Sequence, residues 1–214
     1  MQTVKTKLFT YGSKETTYLQ NADPILAAAI EHLGKVERII IPDLFTALIY
    51  AFIGQQISVK AVHTIWDRMQ KLLGEICSQN ILNFSIEEIQ ECGMTTKKAG
   101  YIKGIAEKAA NGELVLNELY TMSDQEVIKS LSSIAGIGRW TAEMLLINSM
   151  ERPDIISWGD IAIRRGMCKL YGLDELTREQ FEQYKKRYSP YGSVASIYLW
   201  KIAGGALDSV LKTK

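Results

Sequence analysis

From Asp43 onward, apolar residues recur at the three- and four-residue spacing that lines one face of a helix. Val59, Val62, Trp66, Met69 and Leu73 form one such stripe, with other positions between them. Helix is therefore the expected dominant element, and the chain's own punctuation places its ends. Ser85-Ile-Glu-Glu88, Ser123-Asp-Gln-Glu126 and Thr177-Arg-Glu-Gln180 each match a capping box, in which the first side chain takes a later amide and the last side chain reaches back. Asp23-Pro24 opens an earlier helix that runs through Leu33 and stops at Gly34, while Gly74, Gly93, Gly112 and Gly172 suit other C-terminal stops. These breaks predict about nine or ten short helices. Only residues 3 to 11 have strand-like composition, and they suit an edge strand or an ordered arm better than a sheet. No repeat, low-complexity tract or Pro/Gly/Ser linker interrupts the chain, so any two lobes are expected to pack directly on one another.

Composition narrows the class without naming a partner. The 214 residues suffice for one large domain or two lobes with a real core. Cys77, Cys92 and Cys168 are odd in number and lack C-x-x-C spacing. That argues against a disulfide framework, a zinc site and a four-cysteine iron–sulfur cluster, and a reducing cytoplasm fits best. The opening stretch MQTVKTKLFTYGSKETT is too poor in apolar residues for a signal peptide, and no apolar run reaches the ~18 to 20 residues of a membrane span. A soluble, cytoplasmic protein with no membrane partner is the expectation. The formal net charge of +1 carries almost no information, because many nucleic-acid-binding domains are strongly basic and this chain is nearly balanced.

Two short segments carry candidate chemistry. Leu131 to Leu146 reads as helix, tight apolar turn with Gly136 and Gly138, then helix. Amides in such a turn and at the start of the following helix present partial positive charge to one phosphate, a contact that positions DNA without reading its sequence. An ordinary helical hairpin with a glycine turn has the same spacing. About twenty residues later Asp160 stands at the start of another helix, where its carboxylate can cap free amides or face a cleft. Arg164, one turn on, is placed to pair with it.

Three blocks together resemble the helix–hairpin–helix (HhH-GPD) DNA glycosylase superfamily, most closely its 3-methyladenine DNA glycosylase II branch. They are Ile53-Gly-Gln-Gln-Ile-Ser-Val59, Ala135-Gly-Ile-Gly-Arg-Trp-Thr-Ala142 and Asp160-Ile-Ala-Ile-Arg-Arg-Gly166, with a weaker fourth at Tyr198-Leu-Trp200. The resemblance implies an all-α, two-lobed fold with the active-site cleft between the lobes. Residues 44–150 would form the central lobe, residues 151–214 the C-terminal lobe, and residues 1–43 would pack with the latter. It also implies an enzyme of base excision repair that flips alkylated purines such as 3-methyladenine and 7-methylguanine out of duplex DNA, with Asp160 as the catalytic aspartate. Such a protein would sit on the nucleoid of a prokaryote or in the nucleus of a eukaryote.

The chemistry of these residues agrees with that reading. Breaking a glycosidic bond develops positive charge on the deoxyribose, which a nearby carboxylate stabilises. An alkylated purine already carries positive charge and leaves as a neutral base, so a second acid is not needed. Bifunctional relatives carry a Schiff-base lysine after Gly-x-Gly-Arg, whereas this chain has Trp140, so the resemblance implies hydrolysis without strand cleavage. An indole face can instead attract a cationic base, although Trp140 would serve equally as core packing. Trp158 and Tyr188, with Tyr191, are further candidates for pocket walls. Here the chain departs from the family pattern, having Ser157-Trp-Gly159 before the aspartate and Gly192 where an arginine is common.

For DNA contact the candidates are Gln56, which matches the residue that fills the vacated stack in related enzymes, with Ser58, Gly136, Gly138, Arg139 and Thr141. Gln56 would also fit as a plain helix-terminal glutamine. Lys97, Lys98, Arg164, Arg165 and Lys169 are basic residues placed to meet phosphates or solvent. The resemblance implies no organic cofactor, but a Na+ or K+ ion held by the backbone carbonyls of Ser132, Ile134 and Ile137. A monomer acting on duplex DNA is the expected state. The rival readings are a glycosylase for hypoxanthine, uracil or 8-oxoguanine, and a non-catalytic helix–hairpin–helix DNA-binding protein with Asp160 as a structural cap.

Overall fold

The computed structural model describes residues 4–208, whose regular structure is almost entirely helical. In chain order the elements are β1 (Lys7–Leu8), α1 (Ser13–Ala22), α2 (Pro24–Leu33), β2 (Ile39–Ile40), α3 (Leu44–Ile53), α4 (Val59–Leu73), α5 (Ser78–Leu82) and α6 (Ile86–Gln90). There follow α7 (Thr96–Ala110), a 3-10 helix (Leu116–Thr121), α8 (Asp124–Ser132), α9 (Arg139–Asn148), α10 (Ile161–Tyr171), α11 (Arg178–Tyr188) and α12 (Gly192–Ala203). Twelve α-helices among the described residues exceed the nine or ten expected. Helix α5 is five residues long, too short to show an apolar period in sequence, whereas the equally short α6 is marked only by its capping box. Of the strand-like stretch at residues 3 to 11, only Lys7–Leu8 is strand, paired with Ile39–Ile40; Thr3 lies outside the described residues.

Most of the punctuation acts as expected, although α6 ends at Gln90, three residues before Gly93. Ser85, Ser123 and Thr177 each complete a capping box with Glu88, Glu126 and Gln180. Asp23 caps α2 through the amides of Ile25 and Leu26, and α2 ends at Leu33 before Gly34. Gly172 takes the left-handed conformation that terminates α10.

The chain divides into two compact units. Unit 1 comprises the described part of Met1–Lys7 with Ile39–Met150, and unit 2 comprises Leu8–Arg38 with the described part of Glu151–Lys214. Residues 39–43 therefore group with the central part of the chain, not with the N-terminal segment to which the reading at residue 43 assigned them. Long-range bonds tie them there: the Ile41 amide donates to the Asn148 carbonyl at 3.0 Å, and the Ser149 hydroxyl donates to the Pro42 carbonyl at 3.2 Å.

In unit 1, α3 packs on α9 and α4, α7 packs on α5 and α6, and α8 packs on α9. The stripe read from α4 is inward at Val62, Trp66, Met69 and Leu73, Ile65 is buried beside them, and Val59 at its start is exposed. In unit 2, α10 lies along α12 and also meets α2. Gly166 sets the α10–α12 approach, since a Cβ there would fall 2.2 Å from the Leu199 carbonyl oxygen. The last glycine of the Asp160 block is thus a packing residue that holds the helix beginning at the aspartate.

Candidate functional site

The hairpin of unit 1 runs from the end of α8 to the start of α9. The Ile134 amide bonds the Leu131 carbonyl at 3.1 Å and the Ile137 amide bonds the Ile134 carbonyl at 3.0 Å, closing a tight turn. Ile134 and Ile137 are buried beneath it, while Ser132, Gly136 and Gly138 are exposed. Gly136 has φ +86°, and a Cβ there would fall 2.8 Å from the Tyr101 ring and 2.9 Å from the Phe52 ring. No other residue meets both demands. Gly138 is the N-cap of α9 and brings no side chain to that position, leaving the helix start to backbone amides.

Beside the hairpin, residues 54–58 link α3 to α4. Gln56 is exposed and has φ +58°, a left-handed conformation that costs a non-glycine residue on the order of 1 kcal/mol. Ser58 caps α4 by accepting the Ala61 amide at 3.3 Å. Gln55, which sequence reasoning passed over, reaches the hairpin: its Nε2 donates to the Gly136 carbonyl at 3.0 Å and to the Thr141 hydroxyl at 2.8 Å. Lys98 Nζ donates to the carbonyls of Ile53 at 2.8 Å and Gln55 at 3.0 Å. Burial lowers the pKa of that ammonium. Lys98 is therefore a buttress of unit 1 rather than a phosphate ligand on an open surface.

Thr141 does not belong among the DNA contacts. It is 1% exposed, and its hydroxyl is taken by Gln55. Arg139, at the first position of α9, pairs through Nε with the buried Glu143 at 2.8 Å. Trp140 follows it, half-buried. Lys97 lies over the Tyr101 ring at 5.8 Å.

In unit 2, Asp160 is the N-cap of α10 and is 7% exposed. Its Oδ1 accepts the Ile163 amide at 2.9 Å, and its own amide donates back to the Ser157 carbonyl at 3.3 Å. The turn 157–160 and the first turn of α10 thus fix the carboxylate from both sides, with the positive end of the helix dipole beside it. Arg164 places its guanidinium over the Trp158 ring at 4.9 Å, as does Arg178, and Phe181 meets the same indole edge-on at 5.1 Å. Trp158 is thereby engaged by side chains of its own unit. Lys169 is ion-paired with Asp208 at 2.8 Å.

Tyr188 is not a pocket wall. It is 0% exposed, and its hydroxyl is hydrogen-bonded to that of Tyr171. Tyr171 also donates to Asp23 Oδ2 at 2.6 Å, and Arg187 Nη1 meets the same oxygen at 2.6 Å. Burial raises the pKa of both phenols, as does the Asp23 charge. Tyr191 is half-buried, edge-on to Tyr18 at 5.2 Å. Gly192 is closely packed: a Cβ there would fall 2.7 Å from Asp154 Oδ1 and 2.8 Å from Ile156. Its amide donates to that Asp154 oxygen at 3.1 Å.

Cys77, Cys92 and Cys168 are free thiols. Among the described residues no cluster of His, Cys, Asp and Glu is suited to a metal ion, and no helix is long and apolar enough to cross a membrane.

Residues 49–190 match the model of the HhH-GPD superfamily base excision DNA repair proteins. The chain belongs to this superfamily. The matched range includes the loop at Gln55, the hairpin and Asp160. DNA-3-methyladenine glycosylase 1 of Schizosaccharomyces pombe is 32% identical over 162 residues, which are 73% of this chain and 71% of that protein. The structure of a 3-methyladenine DNA glycosylase of the same yeast, in complex with abasic DNA, superposes with a TM-score of 0.83 at 29% identity, covering 88% of this chain and 96% of that one. A DNA-3-methyladenine glycosidase from Bacillus halodurans superposes with a TM-score of 0.79 at 33% identity, covering 94% of each chain. Within the range matched to the HhH-GPD superfamily, Trp140 follows Gly-Ile-Gly-Arg.

Proposed function

We propose that this protein is a monofunctional DNA glycosylase that removes alkylated purines, 3-methyladenine and 7-methylguanine among them, from duplex DNA and leaves an abasic site. The observation that carries the reading is the buried Asp160 carboxylate, fixed by the Ile163 amide at the N-terminus of α10. A carboxylate held in this way needs no reorganisation to oppose the positive charge that grows on C1′ as the base departs. Water then adds to the sugar, and the base leaves neutral because alkylation had already made it cationic. Trp140 offers an indole face to such a cation. It has no amine with which to form a Schiff base, so the proposed enzyme has no lyase step.

DNA is the proposed partner, held by the backbone at Gly136 and Gly138 and by Arg139. Gln56 and Ser58 stand on the adjoining loop, with Gln56 entering the stack. A monovalent cation accords with the same reading. The carbonyls of Ser132, Ile134 and Ile137 would hold it, and the Ile134 carbonyl, which accepts one amide, retains a second lone pair. The ion would supply positive charge toward a phosphate. A single copy of the chain contains every residue invoked, so a monomer is the proposed working state.

The test is release of free base from methylated duplex DNA, with each product identified by chromatography. Wild type should release 3-methyladenine or 7-methylguanine, and Asp160→Asn should release neither while binding DNA as wild type does. Tight binding without release by wild type would favour another lesion, such as hypoxanthine, uracil or 8-oxoguanine, or a binding protein in which Asp160 is a cap alone. Borohydride should trap no covalent complex.

A further inference from the structure

Gln56 adopts a backbone conformation that its own side chain does not favour, and its neighbours explain how it is kept there. The residue stands exposed at φ +58° between the end of α3 and the cap of α4. On its N-terminal side the Gln55 carbonyl is held by Lys98, whose ammonium also takes the Ile53 carbonyl and so spans Gly54. These carbonyls lie at the C-terminal end of α3, where helix geometry leaves acceptors unpaired and a cation is electrostatically favoured. The Gln55 side chain is held as well. Both acceptors it meets, the Gly136 carbonyl and the Thr141 hydroxyl, belong to the hairpin segment, and a carbonyl oxygen can only accept, which orients the amide nitrogen toward them. On the C-terminal side Ser58 is fixed as the cap of α4. The backbone of residue 56 must therefore cross between two anchored residues.

We infer that Lys98 and Gln55 are positioning residues that hold Gln56 in its left-handed conformation and lock the loop carrying it to the hairpin. The inference rests on the reading of Gln56 as the residue that enters the duplex. Neither residue touches the reacting bond in this account. Their role is to present Gln56 and the Gly136–Gly138 amides as one rigid surface, so that gripping a phosphate and filling the vacated stack occur in register. A flexible loop would have to be ordered during base extrusion, which already costs unstacking and unpairing.

The distinguishing experiment measures single-turnover release of 7-methylguanine from two duplexes, one with cytosine opposite the lesion and one with a tetrahydrofuran abasic analogue opposite it. Filling the stack matters most when the lesion is paired, so a fault in presenting Gln56 should appear in the ratio of the two rates. Lys98→Met keeps the aliphatic stem without the ammonium, and Gln55→Met keeps length without the amide. Each should lose about ten-fold more rate on the paired duplex than on the other, as should Gln56→Ala. An equal loss on both duplexes, or none, for Lys98→Met and Gln55→Met overturns the inference if Gln56→Ala remains selective. An equal loss for Gln56→Ala itself overturns the reading of Gln56, and the inference with it. If Lys98→Met is not folded by circular dichroism, Gln55→Met decides alone. If wild type releases no 7-methylguanine, the same comparison is made by fluorescence of 2-aminopurine placed beside the lesion, which brightens on unstacking.

Discussion

Asp23 and Asp160 are both buried aspartates that cap a helix of unit 2, yet only one is proposed to do chemistry. Asp23 is 0% exposed and saturated: Oδ1 takes the amides of Ile25 and Leu26, while Oδ2 takes the Tyr171 hydroxyl and Arg187. It ties α2 to α10 and α11. Asp160 Oδ1 accepts the Ile163 amide of its own helix, in a turn bounded by Ser157 and a guanidinium-stacked Trp158. The same local motif thus stands in two different surroundings. A cap is a local property, whereas the ties that the second oxygen of Asp23 makes to Tyr171 and Arg187 depend on what the rest of the unit brings to it.

The strongest way to break this comparison is to neutralise each aspartate without removing its cap, because asparagine caps a helix about as well as aspartate. Asp160→Asn should lower the single-turnover rate of base release by about a thousand-fold, the scale of losing one preorganised electrostatic group. Its unfolding free energy, read from a urea titration, should shift by less than about 0.5 kcal/mol. Asp23→Asn should do the reverse. Loss of the charge facing Tyr171 and Arg187 should cost about 2 to 3 kcal/mol of stability, discounted because Arg187 is partly exposed, while base release per folded molecule stays at the wild-type rate. Equal effects of the two substitutions on activity would erase the distinction.

Smaller changes sharpen it. Tyr171→Phe removes one donor to Asp23 and the hydroxyl bonded to Tyr188, and should cost about 1 to 2 kcal/mol in the same titration. The acid limb of stability offers a further measure. Burial pushes the Asp23 carboxyl up, but the Tyr171 hydroxyl, the Leu26 amide and Arg187 together outweigh it and hold the group below the usual carboxylate range. A depressed folded value means that Asp23 contributes fully above its unfolded pKa of about 4, and that this contribution is lost as pH falls through the folded value. Wild type should therefore lose stability below about pH 4 more steeply than Asp23→Asn, with the curves converging at low pH.

Much of the candidate site was legible because it is written in short-range chemistry. The capping boxes depend on atoms three residues apart, and the turn at Gly136 demands φ +86°, which glycine supplies. The misreadings share an origin. Thr141 and Tyr188 carry polar groups that look available in sequence, but Gln55 takes one and Tyr171 the other, across 86 and 17 residues respectively. Gln55 and Gln56 are adjacent and identical in type. The resemblance singles out Gln56, but only the fold shows that Gln55 is turned into the hairpin while Gln56 is left exposed.

Most helix starts, the hairpin and family membership follow from the order of residues alone, because caps, glycine turns and apolar periods act within a few positions and the motif needs only their sequence. Tertiary packing decided which polar groups were consumed. Gly166 and Gly192 make the point from the other side. In sequence they are a motif's last letter and a departure from pattern, and only the Leu199 carbonyl and the Asp154–Ile156 segment pressed against them explain why a side chain is excluded. Burial and long-range hydrogen bonding are properties of a neighbourhood, and a neighbourhood assembled from distant segments exists only once the chain has folded.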